Sequence, residues 1–341
     1  MNKYKFAAIV PAYNPGQAVK SVVSETAEFI DKIYLIDDGS DNKNKEYLRA
    51  CLSLDKVSLI TLPENRGKGH ALITGLREAL KFSPDYIITI DSDGQHNPQE
   101  IIKFIDFLGK ENQPLDFLIG SRNNIREMPF RSKFGNLFTA FIFYFFFRNL
   151  VVDTQSGFRA FSRAFAEDIV KIIHPGRYET EMKMLIYAAN SKCSLHEIPI
   201  DTIYIEGNRN SKFRPVKDSA RVLSVFSNYV IKFLLDYLVF LCLVYILNIY
   251  FIYSHIVSRA ISEAYAFAVN RRTNKFNQPP KFKIQITGII ATIFSICSTA
   301  ALLYVLVELA GISKAAAKPA TEIAMAFFGF MALNIFKSQK N

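Results

Sequence analysis

The chain has 341 residues, half of them hydrophobic, and this length exceeds that of one average domain, so we expect two domains. A formal net charge of +10 suits anionic lipid headgroups or a phosphorylated substrate, whereas the lack of a nucleic-acid-binding motif leads us to expect no nucleic acid partner. The four cysteines have neither metal-ligand nor redox spacing, so we expect free thiols in a reducing compartment. Residues 1–5 lead directly into a strand-like run without the apolar core of a signal peptide, which favours a cytosolic first domain.

Short apolar runs alternate with helical patterns through the first hundred residues. Helical spacing of apolar residues is clear in residues 17–30 and 69–81. Such alternation predicts a parallel sheet with right-handed crossovers, whose strand-end loops open on the edge where these sheets bind ligands. The predicted strands are residues 6–10, 32–36, 57–62 and 86–90.

Residues 134–152 interrupt that alternation with an aromatic-rich helical pattern, flanked by Arg131, Lys133 and Arg148. Aromatic residues between basic ends are typical of an amphipathic helix that lies in the headgroup plane of a membrane. A buried core helix stays open as the alternative. A membrane span is disfavoured, because it would place the later polar motifs on the opposite side.

The strand–helix alternation predicts an α/β domain in residues 1–225. The last third of the chain is markedly apolar, which predicts a domain of four transmembrane helices in residues 226–341. Arg259 and Glu263 stand at i,i+4 within the second apolar segment, and we expect them to pair inside the bundle. Five basic residues between positions 270 and 283 mark a cytosolic loop, so both termini are expected in the cytosol and the protein in the cytoplasmic membrane. The four segments are residues 228–253, 255–270, 285–310 and 319–336.

The segment Asp91-Ser92-Asp93-Gly94-Gln95-His96 directly follows the predicted strand at residues 86–90. Two alternating carboxylates at the carboxyl end of a buried strand can hold a hard divalent cation through oxygen, and that cation can neutralise a diphosphate. A metal–diphosphate site in a chain with a membrane domain predicts a nucleotide-linked substrate and a lipid partner.

Three earlier loops carry polar residues or glycines at the same edge of the predicted sheet. Residues 11–14 offer the Tyr13 ring to a base, although an ordinary turn explains this loop equally well. The carboxylates of Asp37-Asp38-Gly39-Ser40 can accept hydrogen bonds from a nucleoside. Residues 65–69 place two glycines and two basic residues before a helix, as in a phosphate-binding loop, with a flexible basic turn as the alternative.

The later loops add basic residues and a further carboxylate. Gly120-Ser121-Arg122 follows an apolar run, and its guanidinium can pair with phosphate. Asp153-Thr154-Gln155-Ser156-Gly157-Phe158-Arg159 suits a site where a lipid phosphate meets the sugar, unless its carboxylate only caps a helix. The acidic residues of 179–181 are expected to complement a helix dipole. The basic loop at residues 208–214 either closes over phosphates or contacts anionic headgroups.

Taken in order, these motifs resemble family 2 glycosyltransferases of the GT-A fold, a Rossmann-like α/β fold with a mostly parallel sheet. Within that family the chain is most similar to polyprenol-phosphate sugar transferases of the dolichol-phosphate mannosyltransferase and bactoprenol glucosyltransferase type. Residues 230–337 resemble the four-helix GtrA-type membrane domain that is often fused to such enzymes. The motifs that carry the resemblance are Pro11-Ala12-Tyr13-Asn14, Asp37-Asp38-Gly39-Ser40, Asn65-Arg66-Gly67-Lys68-Gly69, Asp91-x-Asp93-x-Gln95-His96, Gly120-Ser121-Arg122 and Asp153-x-x-Ser156-Gly157-Phe158-Arg159.

The resemblance implies a metal-dependent, inverting transfer of a hexose from a nucleoside-diphosphate sugar to polyprenyl phosphate on the cytosolic leaflet, within cell-envelope polysaccharide synthesis. It implies Mg²⁺ or Mn²⁺ held by Asp91, Asp93 and Gln95, with Asp93, Arg122 and Asp153 as the catalytic residues. The expected donor-binding residues, which include Lys68 from the basic loop, are Pro11, Tyr13, Asp38, Lys68, Asp91 and Arg122. The expected acceptor-binding residues are Arg131, Ser156, Arg159, Ser211 and Lys212.

One departure from the family pattern concerns the donor. The family commonly has Glu after Pro-x-x-Asn, but this chain has Pro15, so the donor contact of that carboxylate cannot be carried over. The sequence does not select the donor, and UDP-glucose, UDP-N-acetylglucosamine and GDP-mannose all fit. A processive polysaccharide synthase is disfavoured, because its Gln-x-x-Arg-Trp element needs a Trp and the chain has none. Two alternatives stay open: a lipid-linked sugar flippase with a vestigial transferase domain, and a transferase for another lipid or glycan acceptor. A homo-oligomer is compatible with the sequence.

Overall fold

The computed structural model describes residues 3–111, 114–122, 130–191, 193–203, 215–273 and 282–338. Its contacts separate two compact units. The first unit comprises Met1–Ala140 and Val151–Leu223, and the second comprises Phe141–Leu150 and Ser224–Asn341. Residues 141–150 therefore group with the second unit, whereas the assignment of the two parts of the chain to functional domains stays a prediction.

The first unit is built on a sheet whose strands are β1 (Phe6–Ala12), β2 (Lys32–Asp37), β3 (Val57–Thr61), β4 (Tyr86–Thr89), β5 (Phe117–Arg122), β6 (Arg159–Ser162) and β7 (Leu195–Ile200). Within the described residues the strand order is β3-β2-β1-β4-β6-β5-β7. Neighbouring strands are parallel except at β6, which runs antiparallel to both β4 and β5. The predicted mostly parallel α/β fold is confirmed.

Eight helices of the described chain begin in this unit: α1 (Ala18–Phe29), α2 (Asn42–Ala50), α3 (Lys68–Lys81), α4 (Ile101–Lys110), α5 (Phe130–Phe147), α6 (Arg163–Ile172), α7 (Glu179–Asn190) and α8 (Pro215–Ser224). β1 is buried along its whole length, as expected for a central parallel strand covered on both faces. α1 buries Val19, Val22 and Val23, which form the apolar stripe that its sequence spacing predicted. The core therefore fixes the strand ends, and with them the loops at the carboxyl edge.

The four strands predicted in the first ninety residues are confirmed as β1 to β4. β6 was not predicted, because only two apolar residues stand between the polar Arg159 and Ser162. Burial of β6 depends on its partners β4 and β5, which are distant in sequence. The four cysteines are free thiols, as expected.

The second unit is helical, with α9 (Ser227–Leu241), α10 (Phe251–Thr273), α11 (Phe282–Tyr304) and α12 (Lys314–Ser338). A single π turn extends α9 to Ile246 and another extends α11 to Leu309. Among the residues described, one helical stretch, Ser227–Ile246, is long and apolar enough to cross a membrane, and Ile293–Leu309 is apolar but shorter. Helices thus lie at all four predicted segments, and that these helices cross a membrane stays a prediction.

Among the side chains that the structure describes in the second unit, the ion pairs join different helices. The prediction that Arg259 pairs with Glu263 is wrong, since Arg259 bonds to Glu322 of α12. Glu263 pairs instead with Lys232 of α9, at 2.6 Å between Oε1 and Nζ. Sequence spacing could not reveal these partners, because they stand 31 and 63 residues away along the chain.

Candidate active site

The loops that follow β1, β2, β3 and β4 meet at the carboxyl edge of the sheet and, with Arg122 at the end of β5, line a cavity of about 1050 Å³ in the first unit. This volume is large enough for a substantial small-molecule ligand. The predicted juxtaposition of these loops is confirmed, while the roles given to individual residues stay predictions. Nine predicted site residues line the cavity: Pro11, Tyr13, Asp38, Lys68, Asp91, Asp93, Gln95, Arg122 and Ser156.

Lys68, the first residue of α3, is held between two carboxylates. Its Nζ lies 2.7 Å from Asp91 Oδ1 and 3.1 Å from Glu181 Oε1. Burial alone would lower the pKa of Lys68, but the two carboxylates raise it well above its usual range. Burial would likewise raise the pKa of Asp91, but the Lys68 charge and the nearby His96 side chain hold it well below its usual range. Lys68 and Asp91 are therefore both charged at neutral pH.

Asp93 completes the Asp-x-Asp motif in a different electrostatic setting. Its Oδ1 accepts a hydrogen bond from the backbone N–H of Gln95 at 3.1 Å. Burial, and then the Asp91 charge, raise the pKa of the Asp93 carboxyl. No ion pair that includes Asp93 occurs within the described residues, and the Lys68 and His96 side chains offset only part of the effect of burial on its pKa.

The donor set of the motif fits a hard divalent cation. The described residues contain no group of three or more His, Cys, Asp or Glu side chains arranged to hold a metal. The predicted set, however, is two carboxylates and the Gln95 amide, all oxygen donors at the cavity wall, and Mg²⁺ sites commonly take only one or two carboxylates plus substrate phosphates. A cation there would supply the positive charge that Asp93 lacks.

Asp38 stabilises the neighbouring loop. Its two carboxylate oxygens accept hydrogen bonds from the backbone N–H groups of Arg66, at 2.9 Å, and of Gly67, at 2.8 Å. Burial raises the pKa of Asp38, and these two bonds offset only part of that rise. The same two N–H groups belonged to the predicted phosphate-binding loop, so in this structure they bind a carboxylate of the protein itself.

Gly39 is required where the loop after β2 crosses the loop at residues 64–65. Its φ is +75°, and an added methyl group would lie 2.5 Å from the Glu64 carbonyl carbon and 2.6 Å from the Asn65 nitrogen. Gly16 has a similar φ of +69°, but no atom lies within 4 Å of the same position. The two glycines therefore form a matched pair, one crowded and one open.

We expect Gly39→Ala to destabilise the protein much more than Gly16→Ala. Both substitutions carry the cost of about 1–2 kcal/mol for a side chain in left-handed backbone, but only Gly39→Ala also pushes two backbone segments apart. Thermal unfolding of both purified variants measures the difference. Equal melting temperatures would show that the two loops do not approach as described.

The glycines of residues 65–69 allow close packing against the segment that begins α7. A methyl group at Gly67 would collide with the Arg177 side chain, and one at Gly69 would collide with Thr180. Arg177 also donates a hydrogen bond to the Asn65 side chain at 3.3 Å. Glycine at these two positions is therefore explained by packing within the fold.

Arg122, which is partly buried, and the buried Asp153 form a two-point ion pair. Arg122 Nε donates to Asp153 Oδ2 at 2.6 Å and Nη2 donates to Oδ1 at 2.8 Å. The carboxylate also accepts the backbone N–H groups of Arg122, Gln155 and Ser156. Burial would raise the pKa of Asp153, but the Arg122 charge and these hydrogen bonds lower it below its usual value.

Arg159 is a buried structural residue. It is 1 % exposed and donates to the backbone carbonyls of Ser156, Thr154 and Glu181, at 2.7, 3.1 and 2.9 Å. It does not line the cavity, so the predicted acceptor contact is replaced by a role in fixing the start of α7. The Arg131 side chain and residues 211–212, which carry the remaining acceptor predictions, lie outside the described residues.

Comparison with known proteins identifies the family. Residues 7–170 match the family model described as glycosyl transferase family 2. A UDP-N-acetylglucosamine–dolichyl-phosphate N-acetylglucosaminyltransferase of Methanococcus voltae is 33 % identical over 216 residues, which span 58 % of this chain and 85 % of that protein. The chain belongs to glycosyl transferase family 2. It is a glycosyltransferase, and its mostly parallel first unit is an α/β domain of the GT-A type.

The chain is also similar, at lower sequence identity, to a second dolichyl-phosphate enzyme and to a solved structure. A dolichyl-phosphate β-glucosyltransferase of Dictyostelium discoideum is 25 % identical over 241 residues, which span 63 % of this chain and 73 % of that protein. A crystal structure of glucosyl-3-phosphoglycerate synthase from Mycobacterium tuberculosis, in complex with Mn²⁺, UDP and glucosyl-3-phosphoglycerate, is 17 % identical. The match covers 66 % of this chain and 80 % of that chain with a TM-score of 0.48.

The glycosyltransferase cavity also contains residues that sequence inspection missed. Arg177, Tyr178 and Glu181 reach it from the start of α7, and Lys217 and Arg221 reach it from α8. Burial raises the pKa of Tyr178 to about 12. The sequence predicts only that the acidic residues of 179–181 complement a helix dipole. Their spacing does not indicate that Glu181 contacts Lys68.

Proposed function

We propose that this glycosyltransferase moves a hexose from a nucleoside-diphosphate sugar to polyprenyl phosphate, with inversion at the anomeric carbon. The observation that carries the proposal is one cavity that combines Asp91 and Asp93 with the cations Lys68 and Arg122. Such a set suits a diphosphate leaving group bound beside a phosphate acceptor. The names of the two enzymes above, which both describe transfer to dolichyl phosphate, support the same acceptor class.

The chain's own residues account for the main steps. Charge develops on the leaving diphosphate in the transition state, and Lys68 and Arg122 are placed to stabilise it. Asp91, Asp93 and Gln95 would hold Mg²⁺ or Mn²⁺, which would neutralise further charge on the diphosphate when bound. The acceptor phosphate has a second pKa of about 6 and is largely dianionic at neutral pH, so no strong general base is required.

Asp153 is then a positioning residue and not a base. Its carboxylate is 2 % exposed and is fully engaged with Arg122 and three backbone N–H groups. Glu197 accepts the backbone N–H groups of Val152 and Asp153, which holds this segment in place from β7. Asp153 would therefore contribute to catalysis by orienting the Arg122 guanidinium.

Metal dependence and the identity of the sugar need an experiment. Membranes containing the protein should be incubated with radiolabelled UDP-glucose, UDP-N-acetylglucosamine and GDP-mannose, with and without EDTA, and the lipids extracted. We expect one donor to label the lipid fraction and EDTA to abolish the labelling. No lipid labelling together with no donor hydrolysis would favour the alternative of a flippase with a vestigial transferase domain.

The membrane association proposed for α5 is supported by its exposed aromatic residues. Phe134, Leu137 and Phe138 are 61, 52 and 42 % exposed and follow i,i+3,i+4 spacing. Phe141 and Phe145, by contrast, pack in the second unit against Phe330 and Phe233, with ring centroids 5.7 Å apart in each pair. The surface proposed to lie in the headgroup plane is therefore the first half of α5.

The second unit is proposed to be a GtrA-like domain of four transmembrane helices, with the catalytic domain and both termini in the cytosol. Support comes from helices at all four apolar segments, from the apolar length of Ser227–Ile246, and from the basic residues between positions 270 and 283. Such a protein would load sugar onto lipid at the cytosolic leaflet of the cytoplasmic membrane. Its oligomeric state is a separate matter.

We expect a single Cys introduced at Asn274, in an otherwise Cys-free variant, to react with an impermeant maleimide only after the cells are opened. The reason is that a loop rich in Lys and Arg resists translocation. A Cys introduced at Gly311 should react in intact cells, because the third span separates it from the basic cytosolic loop and the fourth span separates it from the cytosolic C-terminal tail. Labelling of position 274 in intact cells would overturn the proposed topology.

A further inference from the structure

Lys68 lies where a positive charge neutralises Asp91. Its Nζ is 2.7 Å from Asp91 Oδ1, and the other carboxylate oxygen lies 3.7 Å from His96 Nε2. Gly157 packs closely against this pair, since a methyl group there would lie 2.5 Å from Asp91 Oδ2 and 2.7 Å from Lys68 Nζ. Asp91 Oδ1 is therefore bound by Lys68, whereas Oδ2 is only near His96, at a distance longer than a hydrogen bond.

Lys68 also has a second anion within reach. Glu181 Oε1 lies 3.1 Å from the same Nζ, and the Glu181 residue is 7 % exposed. The Glu181 backbone is fixed independently, because its carbonyl accepts a hydrogen bond from the buried Arg159 at 2.9 Å. Lys68 can thus leave Asp91 without losing its ionic partner, and the partner itself need not move.

We propose that Lys68 is an internal counter-ion that competes with the divalent cation for Asp91, and that Glu181 is the positioning residue that holds Lys68 when the cation binds. This inference rests on the metal site of the proposed function. Asp91 accepts one close cation at a time without strong repulsion, because two positive charges within a few ångströms repel in a partly buried site. With a cation on Asp91, the Lys68 ammonium would therefore keep Glu181 as its ionic partner.

The proposal gives the two residues opposite effects on metal affinity. Without Lys68 the cation has no competitor, so Lys68→Met should tighten Mn²⁺ binding on the order of tenfold in the absence of nucleotide. Lys68→Arg keeps the charge and should not tighten binding. Without the Glu181 charge Lys68 stays on Asp91, so Glu181→Gln should weaken Mn²⁺ binding by about three- to tenfold.

A double-mutant cycle separates positioning from a general field effect. If Glu181 acts through Lys68, Glu181→Gln should change Mn²⁺ affinity by less than about twofold in the Lys68→Met background. The full-length proteins, purified in detergent, are titrated with Mn²⁺, and the free ion is followed by electron paramagnetic resonance. Circular dichroism melting of each variant establishes that it is folded.

The titrations distinguish failure of this inference from failure of the metal site on which it rests. Unchanged or weaker Mn²⁺ binding by Lys68→Met, or equal weakening by Glu181→Gln in both backgrounds, would overturn this inference. The metal site itself is tested in the same titration by Asp93→Asn, which should abolish Mn²⁺ binding. If Asp93→Asn leaves Mn²⁺ binding intact, the metal site of the proposed function fails and the inference fails with it. If Asp93→Asn abolishes binding but Lys68→Met does not tighten it, only the inference fails.

Discussion

Asp93→Asn is expected to lower the rate of sugar transfer at least about a hundredfold while the protein keeps its fold. Asp93 is the carboxylate of the motif without an ion pair among the described residues, so a cation bound at the motif would be its direct ionic partner. An amide of the same shape removes the charge and little else. Transfer of radiolabelled sugar to extracted lipid is the measurement, with excess EDTA on the wild type expected to reproduce the loss.

The matched control for this substitution is Asp106→Asn. Asp106 is exposed on α4 and does not line the cavity, so the same change of charge should leave transfer within about twofold of wild type. Full activity of Asp93→Asn, or full activity of the wild type in EDTA, would contradict a metal-dependent mechanism. Loss of the folded melting transition in Asp93→Asn would instead assign the residue to stability.

Asp153→Ala is expected to have the largest effect on stability, a loss of about 3–5 kcal/mol. It leaves the Arg122 guanidinium without the carboxylate that binds it at two points, and it leaves three backbone N–H groups without their acceptor. Over a domain of this size that loss corresponds to a melting temperature lower by roughly 10 °C. Transfer should also fall, because Arg122 is no longer oriented towards the cavity.

The control for Asp153→Ala is an ion pair of the same kind on the surface. Arg163 and Glu167 pair at 2.9 Å on α6, with side chains 49 and 42 % exposed, so Glu167→Ala should cost no more than about 1 kcal/mol. Equal losses in Glu167→Ala and Asp153→Ala would contradict the buried pair. Thermal unfolding of both variants in the same detergent decides between the outcomes.

The Asp153 contribution should also depend on pH in a defined direction. The folded-state pKa of Asp153 is lowered, since the Arg122 charge and the hydrogen bonds outweigh the effect of burial. The stabilisation is therefore present above the unfolded-state pKa of about 3.9 and is lost as the pH falls through the lower folded-state value. The difference in melting temperature between wild type and Asp153→Asn should be constant from about pH 5 to 8 and shrink only below about pH 4.

The position of the cavity was predictable from the sequence because it follows from strand order and strand ends. Apolar runs of four to seven residues define β1 to β4, and the residues after them must meet at the carboxyl edge of a parallel sheet. The Asp91 and Asp93 pair could therefore be placed beside Tyr13 and Asp38 before any contact was known. A local pattern sufficed, since each loop is fixed by its own strand.

The partners of individual polar groups were not predictable, because they depend on contacts between distant parts of the chain. Asp38 binds the backbone N–H groups of residues 66 and 67, and Arg159 binds carbonyls as far away as Glu181. Both side chains have the chemistry of ligand-binding groups, and sequence alone does not show that the fold uses them itself. The same reason explains why Arg259 pairs with Glu322 and not with its helix neighbour.

Transfer by the purified full-length protein to polyprenyl phosphate, compared with the dephosphorylated polyprenol, tests the central claim most directly. The assay supplies the radiolabelled nucleotide sugar selected by the membrane panel, with Mg²⁺ or Mn²⁺, and counts the label in the organic phase. We expect label with polyprenyl phosphate and none with polyprenol, because Lys68 and Arg122 are proposed to act in a site for phosphorylated groups. Equal labelling of both lipids, or label that stays in the aqueous phase with either, would contradict a polyprenyl-phosphate glycosyltransferase.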